Sequence, residues 1–103
     1  MQLEKFMDIA LEEAILAVAK QEVPIGAVVV QGDSVIARAH NLVETQKDAS
    51  FHAELLALQA AAKFLNRWRL TDCTLVVTLE PCPMCLGSAR LARIPLLIYG
   101  AGE

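Results

Sequence analysis

Apolar positions change their period several times along this 103-residue chain, and each change predicts an element. From Leu3 to Lys20, Phe6, Ile9, Ala10, Ala14, Ala17 and Val18 recur three and four apart, with Glu4, Asp8 and Glu12 set apart from them. That pattern predicts an amphipathic helix whose apolar stripe packs on a core. After Pro24 the helical period is lost. Ile25 to Gln31 is mostly apolar and β-branched, Gly32-Asp33 supplies a turn, and Ser34 to Ala39 returns as a second strand. The run Ala27-Val28-Val29-Val30 has no polar face, which predicts burial on both sides. His40-Asn41 closes the second strand and opens a polar loop that reaches Asp48. His40 reads as a strand-end histidine, and Asn41, on its own, as a turn asparagine.

A helix from His52 to Leu65 follows, so rich in Ala and Leu that it is apolar nearly all round and predicts cover from its neighbours. Ser50 stands where its N-cap is expected. Thr74 to Leu79 is another apolar strand, stopped by Pro81; Pro83 suits the first turn of a helix reaching Leu91. Pro95 introduces a last strand, Leu96 to Tyr99. The order α-β-β-α-β-α-β, joined by right-handed crossovers, predicts one α/β domain in three layers, α/β/α. Its central sheet is expected to be mixed and mainly parallel, with the first two strands as an antiparallel hairpin. Open α/β sheets carry their sites at one end of the strands.

Composition narrows the classes. Hydrophobic residues make up 55% and charged residues 20%, which suits a real core and argues against disorder. No apolar run approaches a membrane span, and no basic stretch leads into an apolar block as a signal peptide would. A net charge of −3 weighs against a broad basic surface for nucleic acid. It leaves open a single-stranded loop, recognised by stacking and a pocket. Arg67, Arg69, Arg90 and Arg93 read either as a local patch for such a loop or as solvated helix ends.

Two stretches carry chemistry: His52-Ala53-Glu54 and Pro81-Cys82-Pro83-Met84-Cys85. One imidazole and two thiols form a donor set that Zn²⁺ prefers, and three protein ligands leave a fourth position for water, the mark of a catalytic site. Glu54 is then free to act as a base on that water. A Cys-x-x-Cys alone would equally suit half of a structural zinc site or a redox dithiol. A thioredoxin-type dithiol, however, follows a βαβ start that is missing here, and the two stretches together match the H-x-E…P-C-x-x-C signature of zinc nucleobase deaminases. Residues two apart in a helix point to nearly opposite sides, so His52 and Glu54 converge on one ion only at the helix mouth. Cys82 and Cys85 lie at a helix N-terminus, where the dipole and free N–H groups favour thiolates. Cys73 reads as a buried thiol; as a fourth ligand it would close the site. With two of three cysteines assigned to metal, a reducing compartment, by default the cytoplasm, is expected.

These residues resemble the cytidine-deaminase-like zinc deaminases, and within them the bacterial tRNA-specific adenosine deaminases. The stretches that carry the likeness are Glu22-Val23-Pro24-Ile25-Gly26-Ala27-Val28-Val29-Val30, His40-Asn41 with Glu44, His52-Ala53-Glu54, Trp68-Arg69-Leu70 and Thr78-Leu79-Glu80-Pro81-Cys82-Pro83-Met84-Cys85. The resemblance implies the cytidine-deaminase-like fold and one zinc per chain, held by His52, Cys82 and Cys85. It further implies Glu54 as proton shuttle, Asn41 in contact with a flipped base, and the backbone around Ala53 helping to hold that base. The implied substrate is the wobble adenosine of a tRNA anticodon loop, converted to inosine by a homodimer. Members of that branch continue past Tyr99-Gly100-Ala101 into further sheet and a C-terminal helix, and Phe51 stands where they carry a small residue. The run Glu80 to Gly87 also looks like bacterial guanine deaminases, so deamination of a small base or nucleoside (guanine, cytosine or cytidine) is the alternative. A non-catalytic zinc-stabilised subunit is the third reading; the intact Glu54 argues against it, since a structural role leaves that carboxylate without a task.

Overall fold

The computed structural model describes residues 2–102. These residues form α1 (Leu3–Ala19), β1 (Gly26–Gln31), β2 (Ser34–His40), α2 (Val43–Gln46), α3 (Ala53–Leu65), β3 (Cys73–Leu79), α4 (Pro83–Leu91) and β4 (Leu96–Ala101). The strands make one sheet in the order β2-β1-β3-β4. Among the described residues, no helix is long and apolar enough to cross a membrane.

Alternation along the two central strands builds the layers, because successive side chains leave a strand on opposite faces. Val28, Val30 and Val76 pack with Phe6 and Ala10 of α1. Ala27, Val29, Leu75 and Val77 face the other way, onto Ala53, Ala57, Leu58 and Ala61 of α3 and Ala89 of α4. The α/β/α sandwich expected from the element order is therefore present, and the unbroken apolar run of β1 is explained by helices on both faces. Removing one of these fully buried side chains, such as Leu75→Ala, costs about 2–5 kcal/mol. Gly26 lets α1 approach the start of β1: a Cβ there would stand 1.9 Å from the Ala10 carbonyl oxygen.

The sheet is mixed, but it is not mainly parallel as expected: two of its three pairings are antiparallel. Strand β1 pairs antiparallel with both β2 and β3, and only β3 and β4 pair in parallel. Strands β2, β3 and β4 run the same way, as strand–helix–strand crossovers require; β1 lies between β2 and β3 and runs against both. A strand–helix–strand crossover sets direction and leaves open which strand it skips.

Three further details depart from the sequence reading. The polar loop after Asn41 contains the short helix α2. Helix α3 is covered on one side only, by contacts through Ala53, Glu54, Ala57, Leu58 and Ala61, while Phe64 is 67% exposed. Ser50 does not cap α3; its backbone N–H and hydroxyl both bond to Asp48, and His52 occupies the N-cap position.

Candidate active site

Both stretches singled out for chemistry lie at helix mouths. His52 is the N-cap residue of α3, with extended backbone at φ −80° and ψ 148°, and Cys82 is the N-cap residue of α4, at φ −74° and ψ 168°. Neither side chain caps its own helix. Pro83 fixes the first turn of α4, and Cys85 follows within that turn, fully buried. His52 Nδ1 is 3.6 Å from Cys82 Sγ and 3.5 Å from Cys85 Sγ. A tetrahedral zinc, about 2.0 Å from nitrogen and about 2.3 Å from sulfur, sets such atoms about 3.5 Å apart. All three donor atoms lie within 4.8 Å of one another, so the group fits a zinc ion. Cys73 is not part of it, which leaves the three-ligand set open.

Glu54, one residue into α3, is 4% exposed, and its Oε1 has no hydrogen-bond partner. An orphaned buried carboxylate oxygen costs about 1–3 kcal/mol or more, so it marks a place held for something other than stability. Burial pushes the neighbouring Cys85 thiol well up, and the charge of Glu54 and the Cys82 sulfur add to the shift. A buried thiol and a half-buried one beside a buried carboxylate suit a cation.

A pocket of about 220 Å³ opens beside this group, lined by Val23, Ile25, Asn41, Val43, Glu44 and His52. Pockets that enclose drug-sized ligands run to roughly 300–1,000 Å³, so this one suits a single small ring system. Asn41 is buried in its wall, and its backbone N–H donates to the Ile25 carbonyl at 3.1 Å. Ala53 is fully buried at the start of α3. The loop that carries Val43 and Glu44 is pinned by Glu22. Its carboxylate accepts from the backbone N–H groups of Glu44 at 3.0 Å and Thr45 at 2.6 Å, and from the Thr45 hydroxyl at 2.5 Å. Burial works to raise the Glu22 carboxyl, but these hydrogen bonds outweigh it and hold the group below its ordinary value. The resemblance included Glu22 without giving it a task. Its signal is weak, because the partners lie more than twenty positions away.

A second buried cluster was not legible at all. Glu13 Oε1 lies 2.8 Å from His40 Nδ1, and Arg38 Nε donates to Glu13 Oε2 at 2.6 Å. It ties α1 to β2 outside the pocket. The arginines flagged in sequence are partly committed to one another's surroundings: Arg67 pairs with Asp72, and Arg69 and Arg93 lie over the Trp68 ring at 4.9 and 5.9 Å from its centroid. Cys73 is buried, and its thiol is pushed up to about 11 by burial first and by Asp72 second.

The model of the MafB19-like deaminases matches residues 1–103. The chain belongs to that family. Within similar proteins, it is 51% identical over 98 residues to the tRNA-specific adenosine deaminase of Bacillus subtilis (strain 168), covering 95% of this chain and 61% of that protein. It is 50% identical over 98 residues to the chloroplastic tRNA(adenine(34)) deaminase of Arabidopsis thaliana, covering 95% of this chain and 8% of that protein. A structure solved in work on A-to-I editing by tRNA:A34 deaminases superposes with a TM-score of 0.97 at 43% identity, covering all of this chain and 79% of that one. Guanine deaminase from Bacillus subtilis superposes with a TM-score of 0.94 at 39% identity, covering 99% and 66%. This family member thus spans about three-fifths of the length of the bacterial tRNA-specific adenosine deaminases it matches.

Proposed function

We propose that this chain is a zinc-dependent hydrolytic deaminase that converts the wobble adenosine of a tRNA anticodon to inosine. The observation that carries the reading is the triangle of His52, Cys82 and Cys85 beside the unpartnered carboxylate of Glu54. His52, Cys82 and Cys85 would hold one zinc per chain. Bound there, zinc supplies a nucleophile at neutral pH by lowering the pKa of a water, and offers charge stabilisation to the developing oxyanion. Glu54 takes the proton of the attacking water and passes it to the ring nitrogen next to the carbon under attack. A second proton, delivered through the same carboxylate, leaves with the amine as ammonia, so that one water is consumed and one ammonia released. Asn41 offers its amide to the base edge, and the backbone at Ala53 helps to hold the ring. Val23, Ile25 and Val43 exclude water from the ring faces.

The same reading includes a homodimer and a cytoplasmic setting. An apolar hollow of about 310 Å³ between α3 and α4, lined in part by Leu55, Leu58, Trp68 and Leu91, offers a second copy a place to bury surface, and Leu91 is 71% exposed. Free thiol ligands are kept in a reducing compartment. The likeness to guanine deaminase favours one second reading, deamination of a small base.

The test is mass-spectrometric detection of inosine, using zinc-loaded protein and an anticodon stem-loop with a wobble adenosine, with guanine, cytosine and cytidine in parallel. Inosine in the stem-loop is expected. Turnover of a small base without inosine would replace this reading with the second, and no turnover with zinc retained would leave a zinc-stabilised module.

A further inference from the structure

Two hollows share a wall. The base-sized pocket and a larger polar cleft of about 570 Å³ meet at Val23 and Glu44. The rest of the cleft is lined by Lys20, Gln21, Thr45 and Lys47. Gln21 and Lys47 adopt left-handed backbone, at φ 60° and 55°, so the chain turns sharply at both rims. Lys20 and Lys47 enter no ion pair among the described residues, whereas Arg38 and Arg67 are paired. The acids around the two lysines are already engaged: Glu22 with the backbone and hydroxyl of the α2 turn, Asp48 with Ser50. Glu44 alone is unengaged, and it stands at the junction of the two hollows.

We propose that this cleft seats the sugar-phosphate backbone next to the base held beside His52, with Lys20 and Lys47 facing phosphate oxygens and Glu44 facing ribose hydroxyls. The order of chemistry along the hollows follows the order of a nucleotide. The pocket is apolar with one amide, the junction is a carboxylate that accepts from hydroxyls and repels phosphate, and the far end carries two flexible cations. A free base has no use for the second and third parts. The cleft is therefore the feature that distinguishes a polymer substrate from a small one, and the inference rests on the polynucleotide reading above.

The test compares the zinc-loaded protein with the double variant Lys20→Ala/Lys47→Ala. A charge-matched control, Lys5→Ala/Lys63→Ala, alters lysines outside the cleft. Each is assayed for inosine in the stem-loop across a range of salt and, in parallel, for binding of the labelled stem-loop by fluorescence anisotropy. For the cleft variant KM and Kd rise roughly tenfold and the log–log salt slope becomes shallower by roughly 1.5, as expected for two lost phosphate contacts, with kcat unchanged. The control stays near the unmodified protein. Equal behaviour of the two variants, whether both weakened or both unaffected, overturns the assignment. Absence of inosine with the unmodified protein defeats the wobble-adenosine reading instead. The binding arm then still decides the cleft, since the same difference in slope sustains it and equal slopes remove it.

Discussion

Glu13 and Glu54 are both carboxylates buried in helices, on opposite faces of one sheet, and they are treated in opposite ways. Glu13, on α1, has Arg38 and His40 on its two oxygens. Glu54, on α3, keeps an oxygen with no partner while a trio of metal-type donors stands beside it. Satisfied buried charges hold structure in place; an unsatisfied one is destabilising unless a ligand or a reaction uses it. The contrast makes Glu54, and not Glu13, the carboxylate proposed for chemistry, without reference to any relative.

Glu54→Gln breaks the chemical side. The substitution keeps size and removes the proton carrier, so turnover is expected to fall by about 10²–10⁴-fold. Zinc content by atomic absorption should remain one per chain, and the melting temperature should change little, because the amide keeps the size and shape of the carboxylate. Substantial residual turnover would end the proposed role of Glu54.

Glu13→Ala breaks the structural side. It leaves His40 facing an empty place, while Arg38 is partly solvated and keeps Glu12 at 3.2 Å, so the loss is about 2–3 kcal/mol, measured by urea unfolding. Burial works to raise the Glu13 carboxyl, but the hydrogen bonds from His40 and Arg38 outweigh it and lower the group below its ordinary value of 4.5. A lowered folded value means the stabilisation is complete above about pH 4.5 and is lost as the pH falls through the folded value. The stability curves of the parent and Glu13→Ala should therefore converge in acid, and parallel curves would show that the carboxylate charge is not the source.

The two sides also differ in how much of them the sequence carries. The convergence of His52, Cys82 and Cys85 was legible because their residue types and local spacing suit a metal ion, and because the helical period puts His52 at the mouth of α3 if Glu54 is to face the same place. The buried double-faced strand β1 was legible because Val28-Val29-Val30 lacks a polar face. Glu13 was not, since an acid beside Ala14 in an amphipathic helix reads as the edge of the polar face, and its partner His40 lies 27 positions on. Helix α2 was hidden for the same reason. Val43-Glu44-Thr45-Gln46 has no apolar period of its own, and its first N–H groups are satisfied by Glu22 from another segment. The adjacency of β1 and β3 depends on which strand the crossover from β2 passes over, and no local pattern records that.

Glu22 sharpens the comparison because it combines the two cases: a satisfied carboxylate whose bonds shape the pocket. Glu22→Ala frees the loop that carries Val43 and Glu44, and KM for the stem-loop should rise by about tenfold while kcat at saturation and zinc content change little. Glu22→Gln keeps one acceptor for the two N–H groups and should recover part of that loss. A fall in kcat with unchanged KM would instead place Glu22 with Glu54.

Thr45→Val is the smallest step in the series and the most specific. It removes only the hydroxyl that donates to Glu22 and leaves both backbone N–H donors to the same carboxylate in place. The β-branched shape is kept, so the loop backbone has no new freedom of its own. KM should rise by only about two- to threefold, the scale of one neutral-donor hydrogen bond at an exposed residue. Combined with Glu22→Ala, the Thr45 change should add almost nothing, because its partner has gone; the double-mutant cycle then measures the coupling directly. If the two changes were simply additive, Thr45 would act on the pocket by a route other than Glu22, and the carboxylate would lose its place as the anchor of the loop.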